Sequence, residues 1–314
     1  MSEVLTLLSQ LTGVLLVATL LSSILCCLLY SRVRALVSAF DPHTRATATL
    51  SYALITPGVG LIAMLLNSGP DVSQWLVFEH CHGSQCGTHA PLLALDSIGS
   101  ISLMTAASLL LFGLAAGIFK VLIVGRRQLL TLFNLGNQQQ DYVVIDSDHL
   151  LAWCCGLLKP KIVLSRGLLQ QFNSDQISVV LAHERAHVAR FDNLRNVAAR
   201  WSTALWPAKL RHQLCADLAA DNEACCDAIA LRMAPASFQQ VVQRMAKQPQ
   251  TAAAGHHANF GTQQADARIA TASSTGTKYP PLAHMLVTSV WMLQTALVSV
   301  AAHPVVEVIA AASN

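Results

Sequence analysis

The sequence is poor in charge. Of its 314 residues only 12% are Asp, Glu, Lys or Arg, while 53% are hydrophobic. A soluble domain usually carries about 25% charged residues, so an ordinary soluble globular protein is excluded. The apolar residues lie in long runs and not in periodic stripes, which points to a membrane protein. There is no evident internal repeat and no coiled-coil heptad. No basic run with interleaved aromatics is present, so the formal net charge of +3 calls for no nucleic-acid partner. Met1-Ser2-Glu3 contains no positive side chain, and the apolar stretch behind it is too long for a typical signal-peptide core. A cleavable leader is therefore not expected.

Lysine and arginine are missing from three further places: the segment before Arg32, residues 67–96, and the tail from His303. All 20 of them fall in 32–45, in 120–127, or between there and Lys278. Four apolar runs, 4–30, 47–66, 98–118 and 281–302, reach the roughly 20 residues that cross a bilayer. The second holds Pro57, Gly58 and Gly60 and is expected to kink. The positive-inside rule then puts both termini outside and the large region after the third span in the cytoplasm, at the inner (cytoplasmic) membrane. The expected order is three spans within 1–125 with an extracytoplasmic Cys/His loop at 67–97, a cytoplasmic domain at 126–247, a flexible connector at 248–280, the fourth span, and an extracytoplasmic tail at 303–314. The lipid bilayer is thus one partner.

The nine cysteines divide by compartment. Cys26 and Cys27 lie in the first span. Cys154, Cys155, Cys215, Cys225 and Cys226 are expected in the cytoplasm as reduced thiols. Cys81 and Cys86 face an oxidising space and read as a small disulfide loop. Their segment, from His80 through His82 to His89, also carries three histidines. A copper- or zinc-binding loop that senses extracytoplasmic metal is the alternative reading.

Within the cytoplasmic region, 142–145 and 161–164 read as short strands around the turn at 156–160. Residues 173–231 are helical in pattern, opened by Asn173 as a cap with Gln176 three residues on. The stretch 248–278 is rich in Ala, Gly, Thr, Ser and Gln and reads as a connector.

The helix that Asn173 opens carries His183-Glu184-Arg185-Ala186-His187. Histidines four residues apart project from one helical face, the separation needed to bind one Zn²⁺. Glu184, beside the first of them, is placed to act as general base toward water and then to protonate the leaving amine. HExxH alone is a modest signal, since two surface histidines on an exposed helix give the same string. Here an apolar approach at 177–182 and a preceding strand pair support it. A third ligand, Glu223, follows on a second helix, and His₂Glu is a standard catalytic zinc set. Asp227 lies one turn beyond Glu223, placed to accept the free N–H of a ligating histidine. Cys225 and Cys226 are read as packing residues, because a thiolate-rich site is usually structural.

Three strings carry a family resemblance: Ser165-Arg166-Gly167-Leu168-Leu169, Val180-Leu-Ala-His-Glu-Arg-Ala-His187 and Arg190-Phe-Asp-Asn-Leu194. Followed by Glu223 to Asp227 in a Glu-x-x-Cys-Asp pattern, they resemble the BlaR/MecR-type membrane metallopeptidases, the antibiotic-sensing regulators. The resemblance covers three spans before the motif, the peptidase domain and one span after it. HtpX-type peptidases share the motifs but place two spans on each side. Site-two proteases bury HExxH in the membrane, where the charges of Arg185, Arg190, Asp192 and Arg195 would not be tolerated. The large penicillin-binding domain of the best-known members is not expected here. The resemblance implies cleavage of a cytoplasmic protein, typically a small winged-helix repressor, or of the enzyme itself.

Smaller features complete the reading. Ala152-Trp153-Cys154 stands where zincin-like peptidases pair an edge strand with an extended substrate, although hairpin packing would need the same residues. Trp201, Trp206 and Pro207 suit a membrane interface. Arg268 is a candidate for oxyanion or substrate binding, or a plain surface arginine. His256 and His257 are not expected to take part. The expectation is a multi-pass α-helical membrane protein with four transmembrane helices and a cytoplasmic α+β zincin-like (gluzincin) domain. It would hold one catalytic Zn²⁺ and perform regulated proteolysis. A non-catalytic receptor with a zinc-stabilised domain, and a membrane quality-control protease, are the alternatives.

Overall fold

A segment in hydrocarbon must satisfy its own backbone N–H and C=O groups, which a helix does. The computed structural model describes residues 2–68, 80–82, 85–87, 97–139, 141–247, 262–273 and 280–311. It turns all four apolar runs into long helices: α1 (Ser2–Val37), α2 (Pro42–Ser68), α3 (Ile98–Leu135) and α10 (Pro280–Ala311). Among the described residues these four are long and apolar enough to cross a membrane, over 31, 26, 34 and 29 residues. They outrun the apolar stretches because helical backbone continues into the flanks, through Arg34 in α1, Lys120 to Arg127 in α3, and past Ala302 in α10. Pro57 lies inside α2. The glycine after it admits the Trp291 ring of α10, which a Cβ on Gly58 would overlap. The Trp291 indole N–H donates to the Ser51 carbonyl at 3.1 Å and ties the fourth span to the second.

Beyond α3 lies a small sheet. Its strands are β3 (Asn137–Gln138), β4 (Tyr142–Ile145), β5 (Ala152–Cys155) and β6 (Lys161–Ser165), in the order β3-β4-β6-β5. The expected strands 142–145 and 161–164 are both present, but they pair in parallel. The hairpin partner of β6 across the 156–160 turn is β5. Gly156 permits that turn at φ 103°, a conformation that L-residues rarely adopt. Outside this sheet, β1 (His80–His82) and β2 (Gln85–Gly87) form an antiparallel pair that sets Cys81 opposite Cys86. The side chains of that loop lie outside the described residues, and with them the choice between disulfide and metal site. His256 and His257 lie outside them too.

The helices of this region are α4 (Arg166–Gln171), α5 (Ser174–Arg190), α6 (Asp192–Ser202), α7 (Ala208–Met233), α8 (Pro235–Ala246) and α9 (Thr262–Ser273). Asn173 caps α5 in the expected box, accepting from the Gln176 N–H at 2.9 Å while Gln176 Oε1 accepts from the Asn173 N–H at 3.3 Å. At the start of α4, a Cβ on Gly167 would run into the backbone of Asp148, so the strand-to-helix turn needs glycine. The stretch expected as a flexible connector contains α9, which packs on α7 and α8 with Ala265 and Ala272 buried. Its low-complexity composition hid a small-residue face that fits against two helices.

Two apolar cores result, and α7 belongs to both. Leu214 and Leu218 join the core of the four spans, while Ala230 joins the core of the sheet, α4, α5, α8 and α9. Trp206 is 3% exposed. It packs against Tyr30 and Tyr52, and its indole N–H donates to Thr56 Oγ1 at 3.1 Å. The Trp201 ring fills the notch that Gly117 leaves in α3. The segment between α6 and α7 is thus wedged among the spans, which fixes α7 relative to them.

Candidate functional site

On α5 the two histidines are one turn apart, and their Nε2 atoms stand 3.1 Å from each other. On α7, Glu223 faces both. Its Oε2 lies 3.5 Å from His183 Nε2 and its Oε1 lies 3.4 Å from His187 Nε2. Two nitrogens bound tetrahedrally to one zinc at about 2.0–2.1 Å would stand roughly 3.3 Å apart. The three donors therefore fit one such ion with a fourth position left for substrate or water. Among the described residues, His183, His187 and Glu223 are one of two groups able to converge on a metal.

The second group, His187, Asp192 and Cys226, backs the first. His187 Nδ1 stands 2.8 Å from Asp192 Oδ2, and His183 Nδ1 stands 3.0 Å from Asp227 Oδ1. Each imidazole thus has its own buried carboxylate on Nδ1, leaving both Nε2 atoms turned toward Glu223. Such partners fix tautomer and ring orientation. Asp227 was legible from its place one turn after Glu223. The sequence offers no sign of this role for Asp192, because helical spacing from His187 does not point it back. The backbone does so instead: Phe191, between α5 and α6, has φ 54° and ψ 42°. That left-handed turn breaks the helix and returns Asp192 to the histidine. Positive φ in a bulky residue is a strained choice.

Arginines hold these carboxylates. Arg190 donates from Nε to Asp192 Oδ1 at 3.2 Å, from Nη2 to Asn222 Oδ1 at 2.8 Å and from Nη1 to Cys225 Sγ at 3.0 Å. Cys225 and Cys226 accordingly pack behind the site and stand outside the His183-His187-Glu223 group. Arg268, on α9, donates from Nε to Asp227 Oδ2 at 2.7 Å and from Nη2 to Asp227 Oδ1. Its Nη2 also comes within 3.9 Å of Glu223 Oε2. Arg268 is thus not a plain surface residue, its side chain being 19% exposed. It grips the carboxylate behind His183.

Glu184 is 6% exposed. Burial pushes its carboxyl above the usual range, with His183 and His187 pulling the other way. Burial would depress the two imidazoles, but Asp227 and Glu223 raise His183 to about 10, and Asp192 and Glu223 raise His187 to about 11. Glu223 is held well below the usual carboxylate range: burial opposes this and the two histidines outweigh it. A field that retains protons on two imidazoles also favours a divalent cation in their place.

Beside the cluster runs β5, an edge strand bonded only to β6 among the described residues. The Ser165 N–H donates to the Leu151 carbonyl at 2.9 Å, which sets the phase of the ladder. Backbone groups alternate in an antiparallel pair, so Trp153 and Cys155 bond inward while Ala152 and Cys154 face the open edge. Asn193 Nδ2 donates to the Cys154 carbonyl at 3.0 Å and to the Gly156 carbonyl at 3.1 Å, locking the end of the strand to α6. Glu184 is near enough to Cys154 to help burial push that thiol up to about 12.

Comparison with known proteins adds one finding. Residues 123–272 match the family model described as Peptidase family M48. The matched segment runs from within α3 into α9, so it includes the sheet, both site helices and Arg268. It supports a zinc metallopeptidase family. No curated protein and no solved structure is significantly similar to the chain.

Proposed function

We propose that the chain is a membrane-bound zinc endopeptidase of gluzincin type. His183, His187 and Glu223 would hold one Zn²⁺, and Glu184 is the general base. The observation that carries this reading is the convergence of three donors at 3.1–3.5 Å beside a buried glutamate. When bound, zinc supplies Lewis-acid polarisation of the scissile carbonyl and acidifies water toward neutral pH. The chain's own residues do the rest. Ala152 N–H and C=O, with Cys154 N–H, pair with an extended substrate laid along the edge of β5. The Glu184 carboxylate takes a proton from the attacking water and returns it to the leaving amine nitrogen. Its raised pKa suits both halves of that transfer. Asp192 and Asp227 hold protons on Nδ1 of the two histidines, so that each Nε2 lone pair faces the metal.

The finer reading is a BlaR/MecR-type signalling peptidase. It rests on the motif strings and on three spans before the domain with one after. The cation distribution supports a cytoplasmic catalytic domain, and the substrate is then a cytoplasmic protein such as a winged-helix repressor, or the chain itself.

Two outcomes are expected of the purified full-length protein in detergent. Chelation should abolish cleavage of an unfolded test protein, and one equivalent of zinc per chain should restore it; activity that survives complete zinc removal contradicts the reading. Asp227→Asn and Asp192→Asn should each weaken zinc binding about 10–100-fold, the usual cost of losing an outer-sphere carboxylate. Competition with a chromogenic chelator measures this, and unchanged affinity in both would deny them the orienting role.

A further inference from the structure

The helix that carries Glu223 bears a second acidic pair. Asp217 and Asp221 stand one turn apart, and Asp221 and Glu223, two residues apart, are separated by about 200° around the helix. One face of α7 therefore serves the site while the opposite face meets the spans. Asp221 is 2% exposed and receives three hydrogen bonds from the spans. Arg34 of α1 donates from Nη1 at 2.5 Å and from Nη2 at 3.2 Å, and Arg45 of α2 donates from Nε at 2.9 Å. Arg34 also donates to Thr49 Oγ1 of α2 at 3.2 Å, and its Nε lies 3.6 Å from Asp217. Asp217 in turn accepts from the Tyr30 hydroxyl at 2.5 Å. One carboxylate thus joins the ends of two membrane helices to the helix bearing the third candidate ligand.

The peptidase chemistry gives these contacts no task, and a buried carboxylate is costly unless fully partnered. Its consequence is geometric. A side-chain end about 5–6 Å from a helix axis moves roughly 1 Å when the helix turns by about 10°. Metal sites tolerate distance errors of about 0.2 Å. The rotation of α7 must therefore be fixed closely, and the Arg34–Asp221–Arg45 cluster fixes it two residues from Glu223.

We propose that Arg34 and Arg45, acting through Asp221, are positioning residues for the metal site, and that a shift of either span's end reaches Glu223 by this route. The proposal rests on the zinc reading above. It is tested on the full-length protein with zinc and cobalt(II) as probes, measuring affinity by competition and the visible spectrum of the cobalt form. Arg34→Lys keeps the charge but loses the planar fork, and Asp221→Asn removes the acceptor charge. Trp291→Phe, which breaks the indole bond from α10 to Ser51 and leaves Arg34, Arg45 and Asp221 in place, controls for loosened spans.

Arg34→Lys should weaken zinc binding about tenfold and Asp221→Asn by more, in the range typical of groups that orient ligands. Both should alter the cobalt spectrum. Trp291→Phe should lower the melting temperature while leaving affinity and spectrum unchanged. Should Asp221→Asn fail to fold, Arg34→Lys carries the comparison alone. Wild-type affinity and spectrum in the folded cluster variants would overturn the proposal, as would an equal loss of affinity in Trp291→Phe. Failure of the unaltered chain to bind zinc would instead refute the peptidase reading, and the positioning role with it.

Discussion

Glu223→Ala should lower zinc affinity more than 100-fold and take peptidase activity with it. The expectation exceeds that for Asp227 or Asp192 because Glu223 is one of the three proposed ligands and the two aspartates stand behind them. Its two oxygens stand 3.4 and 3.5 Å from the two imidazole nitrogens, and no other side chain in that group supplies a third donor. Catalytic zinc sites keep three protein ligands, and two histidines alone leave the ion weakly held. The fold should survive. Glu223 is 36% exposed at its side chain, Arg268 keeps its grip on Asp227, and the histidines keep their Nδ1 partners. The zinc-free variant should therefore melt within about 1 kcal/mol of the zinc-free parent, in keeping with substitutions away from a packed core. Metal content after dialysis against a zinc buffer, read with circular dichroism, separates lost ligation from lost fold. Full zinc occupancy in folded Glu223→Ala would remove this residue from the ligand set.

Much of this site could be read before any coordinates, because helical spacing is a strong rule. A separation of four positions from His183 to His187, and again from Glu223 to Asp227, is enough to place each pair on one face. Asn173 and Gln176 announce the start of α5 for an equally local reason. What was not legible depends on the chain leaving such regularity. Asp192 reaches His187 only because Phe191 turns left-handed, and no sequence rule favours phenylalanine there. Asp221 and Arg34 meet across 187 residues of sequence, and nothing in either local pattern names the other. Trp206 packs against Tyr30 and Tyr52, contacts that its local sequence does not announce. Strands β4 and β6 stand where the pattern puts them, but they pair in parallel because β5 intervenes in the chain and takes the outer side of β6. Arg268 lay in a stretch whose small residues resemble a linker and in fact pack as a helix.

In the proposed mechanism Glu184 is a base and not a ligand, and one variant separates those roles. Glu184→Gln preserves the volume of a buried side chain and removes its ability to take a proton. General-base catalysis contributes about 10²–10⁴-fold, so turnover should fall by that factor. Zinc should still bind at one equivalent with unchanged affinity, since His183, His187 and Glu223 are intact. The decisive measurement is cleavage of the same test protein by zinc-loaded wild-type and Glu184→Gln chains at matched metal content. Loss of turnover with zinc retained is the predicted result; cleavage at the wild-type rate by the zinc-loaded variant would contradict the mechanism.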